Sequence, residues 1–241
     1  SILDVILNGS IYSTFGEVIS LEQYDVLHEA LGKFEVLCYG VISVLFACLL
    51  VLFMPFIHLY SQGMTDANYI QPILAYFLVF STFIAVIRYP LSSMILAAGH
   101  YRKTRTPNII QATIAVVLSL LLAKPFGLYG ILSGFLVSDL YYTIVVLWYV
   151  PHRITRTSSL ASLKKIGIAI IAMVIPWLVI QKTIVFLPSS YMQWILLAIG
   201  VGLFSLLVTV ILNILGNPKE VKGLWAMVKQ FLNKTRSVGV K

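Results

Sequence analysis

A succession of apolar runs, each about 20 residues long and each closed by helix breakers, constrains this chain more than any other feature. A helix needs about that length to cross a hydrocarbon core of about 30 Å. Six such runs occupy roughly residues 35–60, 72–98, 109–126, 128–150, 163–182 and 194–215. Gln62-Gly63, Gly99-His100, Lys124-Pro125 with Gly127, Pro151, Leu187-Pro188 and Gly216-Asn217-Pro218 separate them, and these are the residue types that end helices. An earlier run, residues 2–21, is more polar. Ser10, Ser13, Thr14, Glu17 and Ser20 fall within about a third of its circumference at 100° per residue, so it reads as a seventh span facing a bundle interior or a wet cavity. The expectation is an all-α integral membrane protein with about seven transmembrane helices.

Composition agrees with that reading. The 241 residues are 59% hydrophobic and only 11% charged, whereas a soluble domain carries about a quarter charged residues. The formal net charge of +8 could indicate nucleic acid, but the basic residues lie in the gaps between apolar runs and form no patch on a soluble module. Nucleic-acid recognition is therefore not expected. Cys38 and Cys48 share one apolar run, about 15 Å apart along a helix, too far for a disulfide.

The gaps also give an orientation. With alternating spans, fourteen of the 17 Lys and Arg residues fall on one side: Lys33; Arg102, Lys103 and Arg105; Arg153, Arg156, Lys164 and Lys165; and six in the tail from Lys219 to Lys241. Lys124 and Lys182 fall on the other side, and Arg88 lies within a span. Basic loops mark the cytoplasmic face, which places the C-terminus there. Residues 217–241 form a basic tail. In it Val221, Leu224, Trp225, Val228, Phe231 and Leu232 recur at helical spacing opposite Lys222, Lys229 and Asn233, as in a helix lying among anionic headgroups. The sequence opens at Ser1 with neither an initiator Met nor the basic and cleavage regions of a signal peptide. The expectation is the end of a longer chain with a clipped first helix.

Arg88 is the leading site candidate. It lies about 15 Å from the cytoplasmic end of its helix, where a charge costs about 2.5–3.5 kcal/mol and calls for a cavity or a partner. Ser81, Ala85, Arg88 and Ser92 make one small or polar stripe, and Pro90 removes a helix hydrogen bond just beyond Arg88, so a kink is expected there. A guanidinium at such a kink suits a phosphate group, which it grips with two parallel hydrogen bonds. It also suits an ion pair with Asp139 or Glu17, and the two roles are compatible. Asp139, in the middle of the fifth span, could counter Arg88, carry a proton or join a cation site. Asn108 and Gln111 could line a cavity or bond between helices, and Gly127, Gly130 and Gly134 permit close helix approach.

Catalysis is not expected. His28, His58, His100 and His152 have no acidic partner at catalytic spacing, and neither a phosphate-cradling loop nor a metal or cofactor motif is present.

Several stretches together resemble the polysaccharide (lipid-linked oligosaccharide) flippases of the multidrug/oligosaccharidyl-lipid/polysaccharide exporter superfamily. They are Phe15-Gly16-Glu17-Val18-Ile19, Pro55-Phe56-Ile57-His58-Leu59-Tyr60, Arg88-Tyr89-Pro90, Ala97-Ala98-Gly99-His100-Tyr101-Arg102-Lys103-Thr104 and Gly127-Leu128-Tyr129-Gly130-Ile131. The resemblance covers roughly residues 8–155 and falls in the C-terminal half of that family. It implies the C-terminal lobe of a two-lobed transporter in a bacterial inner membrane, with an N-terminal lobe as partner. It also implies alternating-access flipping of an undecaprenyl-pyrophosphate-linked glycan for surface polysaccharide biosynthesis, with Arg88, Asp139, Glu17, Ser81 and Ser92 as cavity residues. Gln111 and Ala115 stand where the family often has Glu and Asn. The coupling ion, Na⁺ or H⁺, is left open. A cation-coupled drug antiporter of the same superfamily is the nearest alternative, and an integral membrane glycan-modifying enzyme a more distant one.

Overall fold

The computed structural model describes residues 13–64, 69–183 and 188–238, and every regular element in them is helical. A helix over 13–20 is α1. It is followed by α2 (Tyr24–Tyr60), α3 (Pro72–Ile87), α4 (Tyr89–Ala97), α5 (Arg105–Val150), α6 (Ser159–Thr183), α7 (Tyr191–Gly216) and α8 (Pro218–Val238). Five helical stretches are long and apolar enough to cross a membrane: α2, α3 with α4, α5 with the turn after it, α6 and α7. Of the expected span over 2–21, only the part from residue 13 onward lies within the described residues, so Ser10 falls outside them.

The central element is α2. It begins about ten residues before the apolar run suggests, and its 37 residues reach about 55 Å. The extra turns look like a gap because they carry His28, Glu29 and Lys33. Tyr24, Leu27, Leu31 and Phe34 nevertheless repeat at helical spacing on one face, and Leu27 and Leu31 are buried against α1, α4 and the end of α5. Farther along, Tyr39, Ile42 and Phe46 pack on Val79, Phe83 and Ile87 of α3 and on Ile166, Ala169 and Met173 of α6. Leu52 then meets Ile180 of α6 and Val201 of α7.

Two helices meet at Gly127 within α5, which is a hairpin. At Gly127 the backbone takes φ 56° and ψ −133°, a conformation nearly closed to residues with a Cβ, and the chain reverses. The arms then run antiparallel at backbone contact. A Cβ on Gly130 would strike the Leu122 carbonyl, and one on Gly134 would strike Ser119, whose hydroxyl donates to the Ile131 carbonyl at 2.9 Å. Each arm is as long as one expected span.

The surface is inverted relative to a water-soluble protein. On the first arm of α5, Leu120 is 71% and Leu121 66% exposed, and Ile109 and Val116 are open too. Contiguous apolar surface on that scale needs lipid or a protein partner. The two ends of the bundle differ in charge. Lys33 packs against Gly223 of α8, Lys164 donates to the Gly216 carbonyl at 2.7 Å, and Arg156 covers the Tyr24 ring at 4.6 Å. Lys103 joins the same end through His100, whose ring meets the Tyr149 hydroxyl. Burial, helped by Lys103, holds the His100 pKa below its usual value, so the ring is neutral near pH 7 and Lys103 donates to Nε2. At the other end the contacts are aromatic and amide: Trp194 donates to the Leu52 carbonyl and Gln181 to the Tyr76 hydroxyl.

Beyond Gly216, α8 continues through Val238 as a helix. Val221 and Leu224 turn toward α2 and α7, whereas Trp225 is 73% exposed.

Candidate functional site

Pro90 does more than kink its helix. The pyrrolidine lacks the N–H that would continue the ladder and disfavours helical backbone just before it, and the helix breaks at Arg88 into α3 and α4. The guanidinium therefore sits at a discontinuity, level with the second arm of α5. Its Nη1 donates to Asp139 Oδ1 at 3.0 Å and lies 3.5 Å from both the Asp139 carbonyl and the Thr143 hydroxyl. The Arg88 and Asp139 side chains are 15% and 16% exposed. Thr143 in turn donates to the Ile84 carbonyl at 3.2 Å, near the end of α3. Gln111 Nε2 donates to the same Asp139 oxygen at 3.0 Å, so this amide links the two arms of α5. Tyr142 lies under the guanidinium, 5.1 Å from its ring centre, and Asn108 reaches the Tyr142 side chain.

Of the five cavity residues expected from the sequence, Arg88 and Asp139 meet, and Asp139 is the partner that Arg88 takes. Glu17 is exposed on α1, with its carbonyl capped by Ser20. Gly16 beside it packs against Ala97, so Glu17 lies at the level of the α4 terminus, well away from Arg88. Ser81 is buried in α3. Ser92 lies one turn beyond Arg88, and its hydroxyl is buried without a hydrogen-bond partner among the described residues. Among those residues every hydrogen bond of the guanidinium runs through Nη1, which leaves Nη2 and Nε to a further acceptor.

A second polar centre went unread in the sequence. Glu35 and Lys165 mark the starts of two apolar runs and so count there only as boundary charges. In the structure both are buried, at 2% and 8% exposure, and Lys165 Nζ meets Glu35 Oε2 at 2.7 Å. Ser162, one turn before Lys165, donates to the other carboxylate oxygen at 2.6 Å. The pair borders a 490 Å³ cavity at the basic end, lined also by His28, Lys33, Thr157, Lys219 and Glu220. A sequence signal did exist: an acid and a base stand at the same end of two apolar helices. Only the packing of α2 on α6 makes them neighbours.

Comparison with family models, with curated proteins and with solved structures finds no match to this chain.

Proposed function

We propose that this chain is the substrate-holding lobe of a membrane flippase, and that Arg88 receives the pyrophosphate of a lipid-linked oligosaccharide as it passes between leaflets. The observation that carries this reading is the state of the guanidinium. It sits at a helix break within a membrane-length stretch, with one edge held by Asp139, Thr143 and the Tyr142 ring. The rest of the fork is unengaged among the described residues, and the orphaned Ser92 hydroxyl lies one turn away. Charged groups at such depth commonly mark substrate pathways, and guanidinium is the side chain best matched to phosphate. Asp139 holds the fork in place and offsets its charge in the absence of substrate, so the site need not carry a bare cation.

The same reading takes each arm of α5 as one crossing and the run over 2–21 as another, seven spans in all, with the basic end and α8 in the cytoplasm of a bacterium. A cationic drug would call for a free acid, whereas Asp139 is already engaged by Arg88 and Gln111. That favours the anionic substrate over the antiporter alternative.

The test is transport of lipid-linked glycan in proteoliposomes made with the full-length protein. Arg88→Ala should slow flipping by about tenfold or more, the worth of one charge-assisted hydrogen bond, and Arg88→Lys should recover part of the rate. The glycan lipid should emerge with its mass unchanged. Wild-type flipping by Arg88→Ala would end the proposal.

A further inference from the structure

The Glu35–Lys165 pair has no role in the site at Arg88, and stability does not account for it. Removing two charges from water costs several kcal/mol per ion, and apolar replacements of buried pairs are often neutral or stabilising. Both groups nevertheless line a cavity at the basic end, together with His28, Lys33, Lys219 and Glu220. A second carboxylate also lies within reach. A Cβ built on Gly32 would come within 3.5 Å of Lys165 Nζ and 3.8 Å of Glu220 Oε1. Lys165, paired with Glu35 of α2, and the Glu220 carboxylate of α8 therefore both approach the same point above Gly32. The missing side chain at Gly32 keeps the space between them open.

We propose that Glu35 is a proton-binding site, and that its protonation passes Lys165 from α2 to Glu220 of α8. A proton delivered by water in the cavity adds to Glu35 Oε2, and the carboxylate becomes a neutral acid. Lys165 remains an ammonium, loses its counter-charge and swings to the Glu220 carboxylate. Ser162 keeps its hydrogen bond to the acid. Loss of the proton to the cavity reverses the exchange. Net charge rises by one on protonation, and no buried ammonium is left unpaired in either state. The two states differ in which helix α6 is tied to, and a discrete change of partner of this kind is what a two-state transporter element requires.

The charges facing the site come from three helices and a turn. His28, Glu29 and Lys33 lie on α2, with Glu29 and Lys33 paired to each other at 2.6 Å, and Cys38 and Tyr39 follow Glu35 on the same helix. Lys164 of α6 is engaged at the Gly216 carbonyl of α7, and Lys219 and Glu220 belong to α8. Thr157, from the turn before α6, is uncharged. Of these groups, Glu220 is the carboxylate placed to take over Lys165.

The proton site stands on the ion pair and its cavity alone; its use as the driving ion rests on the transport reading above. The experiment is an infrared pH titration of the purified full-length protein in lipid nanodiscs, following the absorption of a protonated carboxylic acid. The wild type should gain one such band on acidification while still folded. Glu35→Gln should lack it. Because that variant permanently removes the counter-charge that Lys165 holds in the wild type, Glu35→Gln with Lys165→Met is the folding control, and it too should lack the band. In Glu220→Gln the band should form only at lower pH, since Lys165 then has nowhere to go. Persistence of the band in the double variant would assign the proton elsewhere and overturn the proposal. So would a wild type with no titrating band while still folded, or an unshifted titration in Glu220→Gln. None of these readouts needs a transported substrate, so they fail or succeed separately from the flippase assay.

Discussion

Arg88 and Asp139 illustrate how a partly buried charge is managed one residue at a time. The guanidinium keeps a carboxylate, a hydroxyl and an aromatic face, and Gln111 steadies the carboxylate from the other arm. Breaking one partner of a buried pair costs about 3–5 kcal/mol. The pair retains some exposure, so Arg88→Met alone should lose stability at the lower end of that range, read as a drop in the thermal midpoint in detergent. Arg88→Met with Asp139→Asn should recover most of it, because neither charge is then stranded. The double variant should still fail to flip substrate. Recovery of stability together with transport would reduce the pair to a structural tie.

Among the elements, the α5 hairpin is the most exacting. Its turn rests on Gly127 in a backbone region costly to other residues, so Gly127→Ala should destabilise by about 1–3 kcal/mol. Its arms approach until Gly134 meets Ser119. Gly134→Val must part them, which also pulls Gln111 from Asp139 and loosens Arg88. Gly167 of α6 has open space around its missing Cβ, so Gly167→Val is the matched control. Unfolding stability should fall clearly for Gly134→Val and stay within about 0.5 kcal/mol of wild type for Gly167→Val. Equal effects would mean that the arms do not close as described.

For the molecule as a whole, the decisive property is the contrast between its two ends. If the bundle crosses a bilayer, a cysteine at Ser61, beyond α2, and one at Ser158, before α6, must lie on opposite faces. With the proposed orientation in a bacterial inner membrane, an impermeant maleimide applied to spheroplasts should label Ser61→Cys and spare Ser158→Cys, with the order reversed in inside-out vesicles. Labelling of both from one side would refute the crossing. The exposed apolar wall on the first arm of α5 belongs to this scale as well. No helix among the described residues covers it.

The amino-acid sequence alone determined the solvent of this protein, the approximate ends of its long helices and the segregation of its charge. Each of these depends on local composition: runs of apolar residues, Gly and Pro between them, and Lys or Arg in the gaps. It also singled out Arg88, because a lone charge in an apolar run is conspicuous without any fold, and it named Asp139 among the possible partners. It left the first turns of α2 unread, since their apolar stripe is interleaved with His28, Glu29 and Lys33 and lowers no average. The break at Arg88 follows locally from Pro90, whereas the choice of Asp139 over Glu17 and the bond from Gln111 came only from tertiary packing. So did the burial of Glu35 against Lys165 beside Glu220. Those contacts join residues dozens to more than a hundred positions apart, and which helix lies against which is set by side-chain shape across the whole bundle, a property that no local stretch of sequence contains.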